Sequence, residues 1–566
     1  MPTTTTPNPR PPAYESFSGG LALAKGARSE QAAELLPADL CRLIARLHAE
    51  LEPERQQLLA ARAERQRRWD AGEVPGYVSE GELPEAQGDW RIDPLPADLL
   101  ERRVEITGPI NDPKMVINML SRDASGVRAD AAMLDFEDSM KPSWPNVLAG
   151  LENYRGAARG DLSFTRPAGA GEPERIYRLD PDDRPLVMVR VRGLHLDETN
   201  VATGGEAIAA GILDYAASAW HGARELLAQG RTPKFYVPKC EHYLEARWWD
   251  RLFTLVEEAL GVATGTFKTT FLIETLPAAF QVEEILWETR RHASGMNVGR
   301  WDKIFSDIKC LIAHPDRVLA DRATIGLDRP WMKAYALRLI QVCHRHGAFG
   351  MGGMAAFTPG RTAERRAEQT AKVKADKELE FSMGHDGCWV SHPYFIGPAL
   401  AAFPEQNQLG VMPDLADRPD LLPVACGPQT LDGLHKNVRV GIAYVRGWNA
   451  DIGCVAWDDL MEDLATLEIS RAQTAQWLRH SVEIEDTGPA NSALVRRVFE
   501  EEYGRIEDEL RHARADDATV ASYRDAARDA EAIFTEESFR PFLAKSSDSA
   551  DLTVKERRAR LRGGYD

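Results

Sequence analysis

Apolar positions recur at helical spacing from residue 30 to 70, in Glu34-Leu-Leu and Leu40-Cys-Arg-Leu-Ile. A charged run through Arg62-Ala-Glu-Arg-Gln-Arg-Arg follows and reads as a solvated helix face. A Pro/Gly-rich stretch at 71–97 reads as a linker. From about 100 the pattern changes to short apolar runs separated by longer helical segments. The runs are Val104-Glu-Ile-Thr, Ala132-Met-Leu-Asp-Phe, Leu186-Val-Met-Val-Arg-Val and Lys234-Phe-Tyr-Val-Pro, then Thr269-Thr-Phe-Leu-Ile, Gly295-Met-Asn-Val, Ala348-Phe-Gly-Met-Gly-Gly and Cys388-Trp-Val-Ser. Continuously apolar strands that alternate with helices imply a parallel sheet buried on both faces. Eight such units predict an α/β fold of the (β/α)8 barrel type, with its site at the C-terminal strand ends. From about 430 the chain turns helical again, in Leu460-Met-Glu-Asp-Leu-Ala-Thr-Leu-Glu-Ile-Ser-Arg and Ala475-Gln-Trp-Leu-Arg-His, which predicts a separate helical domain.

Several strand ends carry polar residues: Asp135-Phe-Glu-Asp, Arg190, Lys239, Glu274, Asp302 and His392. Glu274 and Asp302 lie about one barrel unit apart, so adjacent strands could aim both carboxylates at one point. Two hard oxygen donors with water and substrate suit Mg²⁺; two strand-end acids paired with nearby Arg or Lys fit the same spacing. The turn Gly299-Arg-Trp-Asp offers backbone N–H groups to a small carboxylate. Arg190 is either a cation for a developing negative charge or half of a structural ion pair. Glu137 and Asp138 could bind metal-bound water or orient Arg190. Asp463, outside the barrel, reads on its own as a helix N-terminal residue. His385 and His392 lack helical metal-ligand spacing and read as core or hydrogen-bonding histidines. Gly350-Met-Gly-Gly lacks the phosphate-loop pattern.

Composition narrows the field. With 43% hydrophobic and 28% charged residues the chain is of ordinary globular type, and no run approaches a membrane span. The net charge of −18 argues against nucleic acid as a partner. Anionic substrates would need a local cation, from Arg, Lys or a metal ion. Seven scattered cysteines suggest reduced thiols. The Pro/Thr-rich start has no apolar signal core, and Gly563-Gly-Tyr-Asp is no peroxisomal address, so a cytoplasmic location is expected.

Taken together and in order, these segments resemble malate synthases, specifically the shorter A-type isoform, from roughly residue 100 to 545. The carriers are Glu105-Ile-Thr-Gly-Pro with Lys114-Met-Val-Ile-Asn, Asp135-Phe-Glu-Asp-Ser, Lys239 with Leu244-Glu-Ala-Arg, and Leu272-Ile-Glu-Thr-Leu with Ala278-Ala-Phe. Arg291-His-Ala-Ser-Gly-Met-Asn-Val-Gly-Arg-Trp-Asp-Lys-Ile-Phe, Gly352-Gly-Met-Ala-Ala, Gly384-His-Asp-Gly-Cys-Trp-Val and the Asp463 segment complete them. The resemblance implies a disordered tail (1–29), an N-terminal helical clasp and linker (30–99), a TIM barrel (100–425) and a C-terminal helical plug (426–566). It implies condensation of acetyl-CoA with glyoxylate and hydrolysis of malyl-CoA, with Mg²⁺ on Glu274 and Asp302. Gly299, Arg300 and Trp301 are expected to cradle the glyoxylate carboxylate. Arg190 matches the catalytic arginine and Asp463 the catalytic aspartate; Ser139 and Pro393 match positions near acetyl-CoA. A monomer or small homo-oligomer is expected.

The chain departs from the usual pattern at Arg190-Val-Arg-Gly-Leu-His, where Pro and Trp are usual at the second and fifth positions, and at Met296 and Lys303. The loop at 119–131 is a few residues longer than usual. These changes bear on the substrate pocket, so an altered 2-oxo acid preference is one alternative. A malyl-CoA or citramalyl-CoA lyase is the other, although such chains are usually much shorter and lack the Asp463-bearing plug.

Overall fold

The computed structural model describes residues 13–169 and 173–563. Each of the eight apolar runs forms one strand of a closed parallel barrel. The strands are Val104–Pro109, Ala131–Asp135, Leu186–Arg190, Lys234–Val237, Lys268–Ile273, Ala293–Val298, Phe349–Ala355 and Gly387–Val390. They pair in chain order, and the last returns to the first. Nearly every strand residue is buried, because helices cover the outer face and side chains fill the inside. Register sets up the site: Asp135 stands opposite Arg190 on neighbouring strands.

The barrel floor is closed by a buried polar network rather than by hydrocarbon alone. Arg102 Nε donates to Glu105 at 2.7 Å, its Nη1 donates to Thr270 at 3.1 Å, and Trp389 Nε1 donates to Glu105 at 2.9 Å. Satisfied networks of this kind fix side-chain positions. Here the network holds the Trp389 indole, over which the Arg190 guanidinium sits 5.8 Å from the ring centroid.

Residues 1–12 lie outside the described residues, but the rest of the expected tail is corrected. Tyr14–Ser16 and Leu21–Ala24 form an antiparallel pair that extends through Asp197–Thr203 to Glu206–Ala209 in a four-stranded sheet. Leu23 pairs with Val201, far away in sequence, so no local pattern announces the strand. The 33-residue helix Ala38–Asp70 then runs over the barrel helix Tyr243–Leu260. The solvated reading of its charged run is corrected at Arg62, which is buried and donates to Glu245 at 2.6 Å. Between 71 and 97 the chain is irregular apart from the short 3-10 turn Pro84–Gln87.

The helices Leu431–Asn449, Leu464–Arg479, Ser492–His512 and Asp517–Phe534 share a second core around Val438, Ile442, Val498 and Phe534. This bundle docks on the barrel through Leu464–Arg479, which packs on the barrel helix Arg300–Cys310. Among the described residues, no helix is long and apolar enough to cross a membrane.

Candidate active site

A cavity of about 810 Å³ opens where the barrel strands end. From the barrel, its wall takes Arg190, Glu274, Ser139 and the turn Gly299, Arg300, Trp301 and Asp302. From the helical bundle it takes Asp463, with Cys454, Met461 and Thr466. Residues more than three hundred positions apart in sequence, Ser139 and Asp463, thus share one space. Glu137 and Asp138 stand outside this wall, against the Lys239 ammonium, which lies 2.7 Å from Glu137 Oε1 and 2.5 Å from Asp138 Oδ2. Pro393 is also outside it, on a 3-10 turn after the last barrel strand, although Ser391 two residues earlier lines it. His385 and His392 are hydrogen-bonding histidines: the first contacts Gly350 O at 3.1 Å, and the second accepts from Tyr394 N.

Asp302 and Glu274 are both buried, and burial pushes both carboxyls above the usual range. Asp302 Oδ1 accepts no hydrogen bond; its one cationic neighbour is Lys239 Nζ, 3.2 Å away. Asp138 Oδ1 is likewise without a partner. Three buried carboxyls, Glu137, Asp138 and Asp302, crowd the single Lys239 ammonium with Glu274 beside them, while Arg190 is already matched by Asp135. The acids outnumber the cations, so the donor set fits a divalent cation. Among the described residues no three His, Cys, Asp or Glu side chains are arranged to hold a metal. Glu274 and Asp302 would therefore act as a pair, with water and substrate oxygens completing the sphere.

Two backbone features hold this corner. Lys239 adopts φ +52°, a left-handed conformation uncommon outside glycine, and its N–H donates to Glu274 Oε1 at 2.7 Å. Gly299 lies so close to Glu274 that a Cβ there would stand 2.5 Å from the Glu274 Cβ. Gly299 also precedes the first turn of Arg300–Cys310, so free N–H groups of a helix start line the cavity. The Arg300 side chain turns away, donating to Asp376 at 3.0 Å.

Arg190 is locked by a two-pronged bond to Asp135, at 2.7 Å and 2.6 Å, with Glu137 at 3.4 Å. Ser139 Oγ donates to the same Asp135 at 2.5 Å. Burial pushes the Asp135 carboxyl up, but Arg190 and the hydrogen bonds it accepts hold it below its ordinary value.

Asp463 caps the helix Leu464–Arg479: its Oδ1 accepts from Thr466 N, and Thr466 Oγ1 accepts from its own N–H. Main-chain bonds to the barrel clamp it on both sides. Met461 N donates to Ala356 O at 2.7 Å and Leu464 N donates to Asp138 O at 3.2 Å. Burial, then the charge of Asp138, pushes the Asp463 carboxyl up to about 7, against the pull of Arg190 and Lys239. The helix-cap reading and the cavity position are therefore both true of this residue.

Sequence reasoning singled out neither Asp135 nor Lys239. Both were visible as strand-end polar residues and, like Trp389, within segments that carry the resemblance, but with no role assigned. The departures at Val191, Leu194, Met296 and Lys303 all lie outside the cavity wall. Lys303 is buried against Asp307 at 2.5 Å, and Arg192 pairs with Asp214 and Glu198, both at 2.7 Å.

The fold and this mouth place the chain among (β/α)8-barrel enzymes whose chemistry sits at the strand C-termini. Three family descriptions match it: "Malate synthase, N-terminal domain" over 25–82, "Malate synthase, TIM barrel domain" over 186–418 and "Malate synthase, C-terminal" over 428–550. Malate synthase A of Escherichia coli (strain K12) is 42% identical over 525 residues, 91% of this chain and 95% of that one. Malate synthase of Myxococcus xanthus (strain DK1622) is 43% identical over 511 residues, 89% of this chain and 91% of that one. Malate synthase of Arabidopsis thaliana is 37% identical over 523 residues, 90% and 91% of the two chains. The chain belongs to the malate synthase family, acetyl-CoA-using transferases that condense acetyl-CoA with glyoxylate and need a divalent metal ion.

Proposed function

We propose that the residues of this cavity divide the malate synthase reaction as follows. Asp463 takes a proton from the acetyl methyl group of acetyl-CoA. A base with a pKa of about 7 is well matched to this at neutral pH. The Arg190 guanidinium stabilises the enolate oxygen that develops. Glyoxylate lies with its carboxylate on the N–H groups of Gly299, Arg300 and Trp301, where a helix start favours an anion. The enolate carbon attacks the aldehyde carbon, the aldehyde oxygen takes a proton, and malyl-CoA results. Water then cleaves the thioester to malate and CoA.

Glu274 and Asp302 would hold Mg²⁺, a hard cation suited to an all-oxygen donor set. Bound there, it supplies charge neutralisation and polarisation of the aldehyde. Lys239 positions the acid pair, and Asp135 positions Arg190, with Glu137 and Asp138 supporting both cations. Ser139 lines the acetyl-CoA side of the cavity, and Pro393 lies on the thioester's approach beside Ser391. All seven cysteines are free thiols, which suits a reducing cytoplasm.

One observation supports this division above the others: Asp463 of the helical bundle shares a cavity with Arg190, Glu274 and Asp302 of the barrel. A base held by a second domain argues for the synthase over a lyase made of the barrel alone. Because the unusual residues near Arg190 avoid the cavity wall, glyoxylate is the preferred 2-oxo acid. The test is thiol release from acetyl-CoA with Mg²⁺ across glyoxylate, pyruvate and larger 2-oxo acids. Glyoxylate is expected to lead by at least tenfold in kcat/KM, about 1.4 kcal/mol of discrimination. Malyl-CoA accumulating without thiol would support the lyase instead.

A further inference from the structure

The opposite end of the barrel holds a second cavity, open and about 1290 Å³ in volume. It lies where the strands Val104–Pro109, Ala131–Asp135 and Leu186–Arg190 begin, since Arg103, Asp130 and Leu186 line it. Its wall carries five arginines (Arg103, Arg122, Arg128, Arg184 and Arg231) against three acids (Asp98, Glu101 and Asp130). In a chain of net charge −18 this is a local reversal of sign.

Most of the acids are already engaged. Glu101 and Asp130 both pair with Arg103, at 2.8 Å and 3.2 Å, and Asp98 pairs with Lys234 at 2.7 Å. Asp183 answers Arg122 and Arg128 together. Among the described residues Arg184 and Arg231 have no ion-pair partner. Arg184 donates to Ala157 O and Ala158 O at the end of the helix Trp144–Arg159, and to Gln229 Oε1 at 2.7 Å. Arg231 donates to Pro185 O at 3.0 Å. Carbonyls orient these guanidinium groups, and the acids that act on them, Asp161 and Asp182 on Arg184 and Asp98 on Arg231, do so without forming an ion pair. Burial first, then mutual repulsion along Arg184, Arg231 and Arg128, lowers the pKa of both Arg184 and Arg231.

The loop at 119–131 supplies Arg122 and Arg128 to this wall. We propose that this arginine-lined cavity is a binding site for a small phosphate-bearing anion, separate from the substrate cavity. Arginine forks take up phosphate oxygens two at a time. Arg184 and Arg231, the two guanidinium groups of this wall without an ion-pair partner among the described residues, are the ones a phosphate anion would engage. Acetyl-CoA bound at the strand C-termini lies at the far end of the barrel, so its own phosphates do not serve this site.

The experiment is isothermal titration of the full chain with inorganic pyrophosphate in about 0.1 M salt, where screening acts over ~10 Å. It is run without added metal, with and without saturating CoA. One site is expected, with affinity unchanged by CoA. Arg128→Gln, at a half-exposed position, should weaken it about tenfold, and Arg128→Gln with Arg231→Gln should abolish it. Thiol release without pyrophosphate should be unchanged in Arg128→Gln, which also controls for folding. Competition by CoA would place the anion in the substrate cavity and overturn the proposal. So would wild-type affinity in Arg128→Gln. Citrate binding as tightly as pyrophosphate would overturn the phosphate assignment.

Discussion

Asp463 shows how much one carboxyl's surroundings decide. Its pKa of about 7 is raised above the ordinary carboxylate value, so the neutral form is the one that folding favours. The stabilisation from burying it neutral is present below about 4 and is lost as pH rises through about 7. The role of base proposed for Asp463 needs the opposite form. kcat/KM should therefore fall as pH drops through an apparent pKa near 7, measured by thiol release under constant ionic strength. Asp463→Asn should lose roughly 10²–10⁴-fold in kcat together with that acid limb. The same variant should melt higher than wild type at pH 8 and gain little at pH 5. An unchanged limb in the variant would remove Asp463 from the role of base. Asp135→Asn is the matching test of positioning: Arg190 keeps its charge but loses its fork partner. A kcat loss on the order of 10² is expected with little change in metal affinity. Gly299→Ala should cost about 1–3 kcal/mol by overpacking against Glu274, read by thermal unfolding, and should weaken Mg²⁺ binding measured directly.

Among the elements, barrel strands were legible and the small sheets were not. A barrel strand is buried on both faces, so its apolar run identifies it locally, as in Leu186–Arg190 and Lys268–Ile273. Leu21–Ala24 is a strand because of Asp197–Thr203, and nothing near residue 21 encodes that partner. The same holds for the site. Glu274 and Asp302 stand at the ends of consecutive strands and could be paired by counting units. Asp463 could be placed in the mouth only through the family resemblance, because a helix cap looks alike wherever its helix docks. Lys239 was visible as a strand end but not in its role, since its contribution lies in a left-handed backbone and three carboxylates from two other segments. The hairpin Val455–Trp457 with Leu460–Glu462 is the element that carries Asp463 to the barrel. Met461→Pro removes the N–H that bonds Ala356 O and should lower kcat while leaving Mg²⁺ affinity intact. A parallel fall in metal affinity would show that the hairpin supports the whole mouth rather than Asp463.

On the scale of the whole molecule, charge and metal are linked. The acids around Lys239 outnumber the cations in a buried corner where Arg190 is already matched by Asp135, so metal removal leaves that corner uncompensated. EDTA should abolish thiol release and lower the melting temperature, and Mg²⁺ should restore both. Melting unchanged by chelation would mean that no cation is held by the fold itself. Asp463 also joins two bodies: its carboxyl belongs to the bundle and its targets to the barrel. Because the proposed base is held by the bundle, proton removal at the barrel mouth requires the bundle to be docked. On the proposed division of roles, a bundle lifted off the barrel would take the base with it, and no enolate would form in an open barrel. Exchange of acetyl-CoA methyl protons with deuterated solvent therefore reports closure, and a cross-link that holds the bundle down should preserve exchange while stopping turnover.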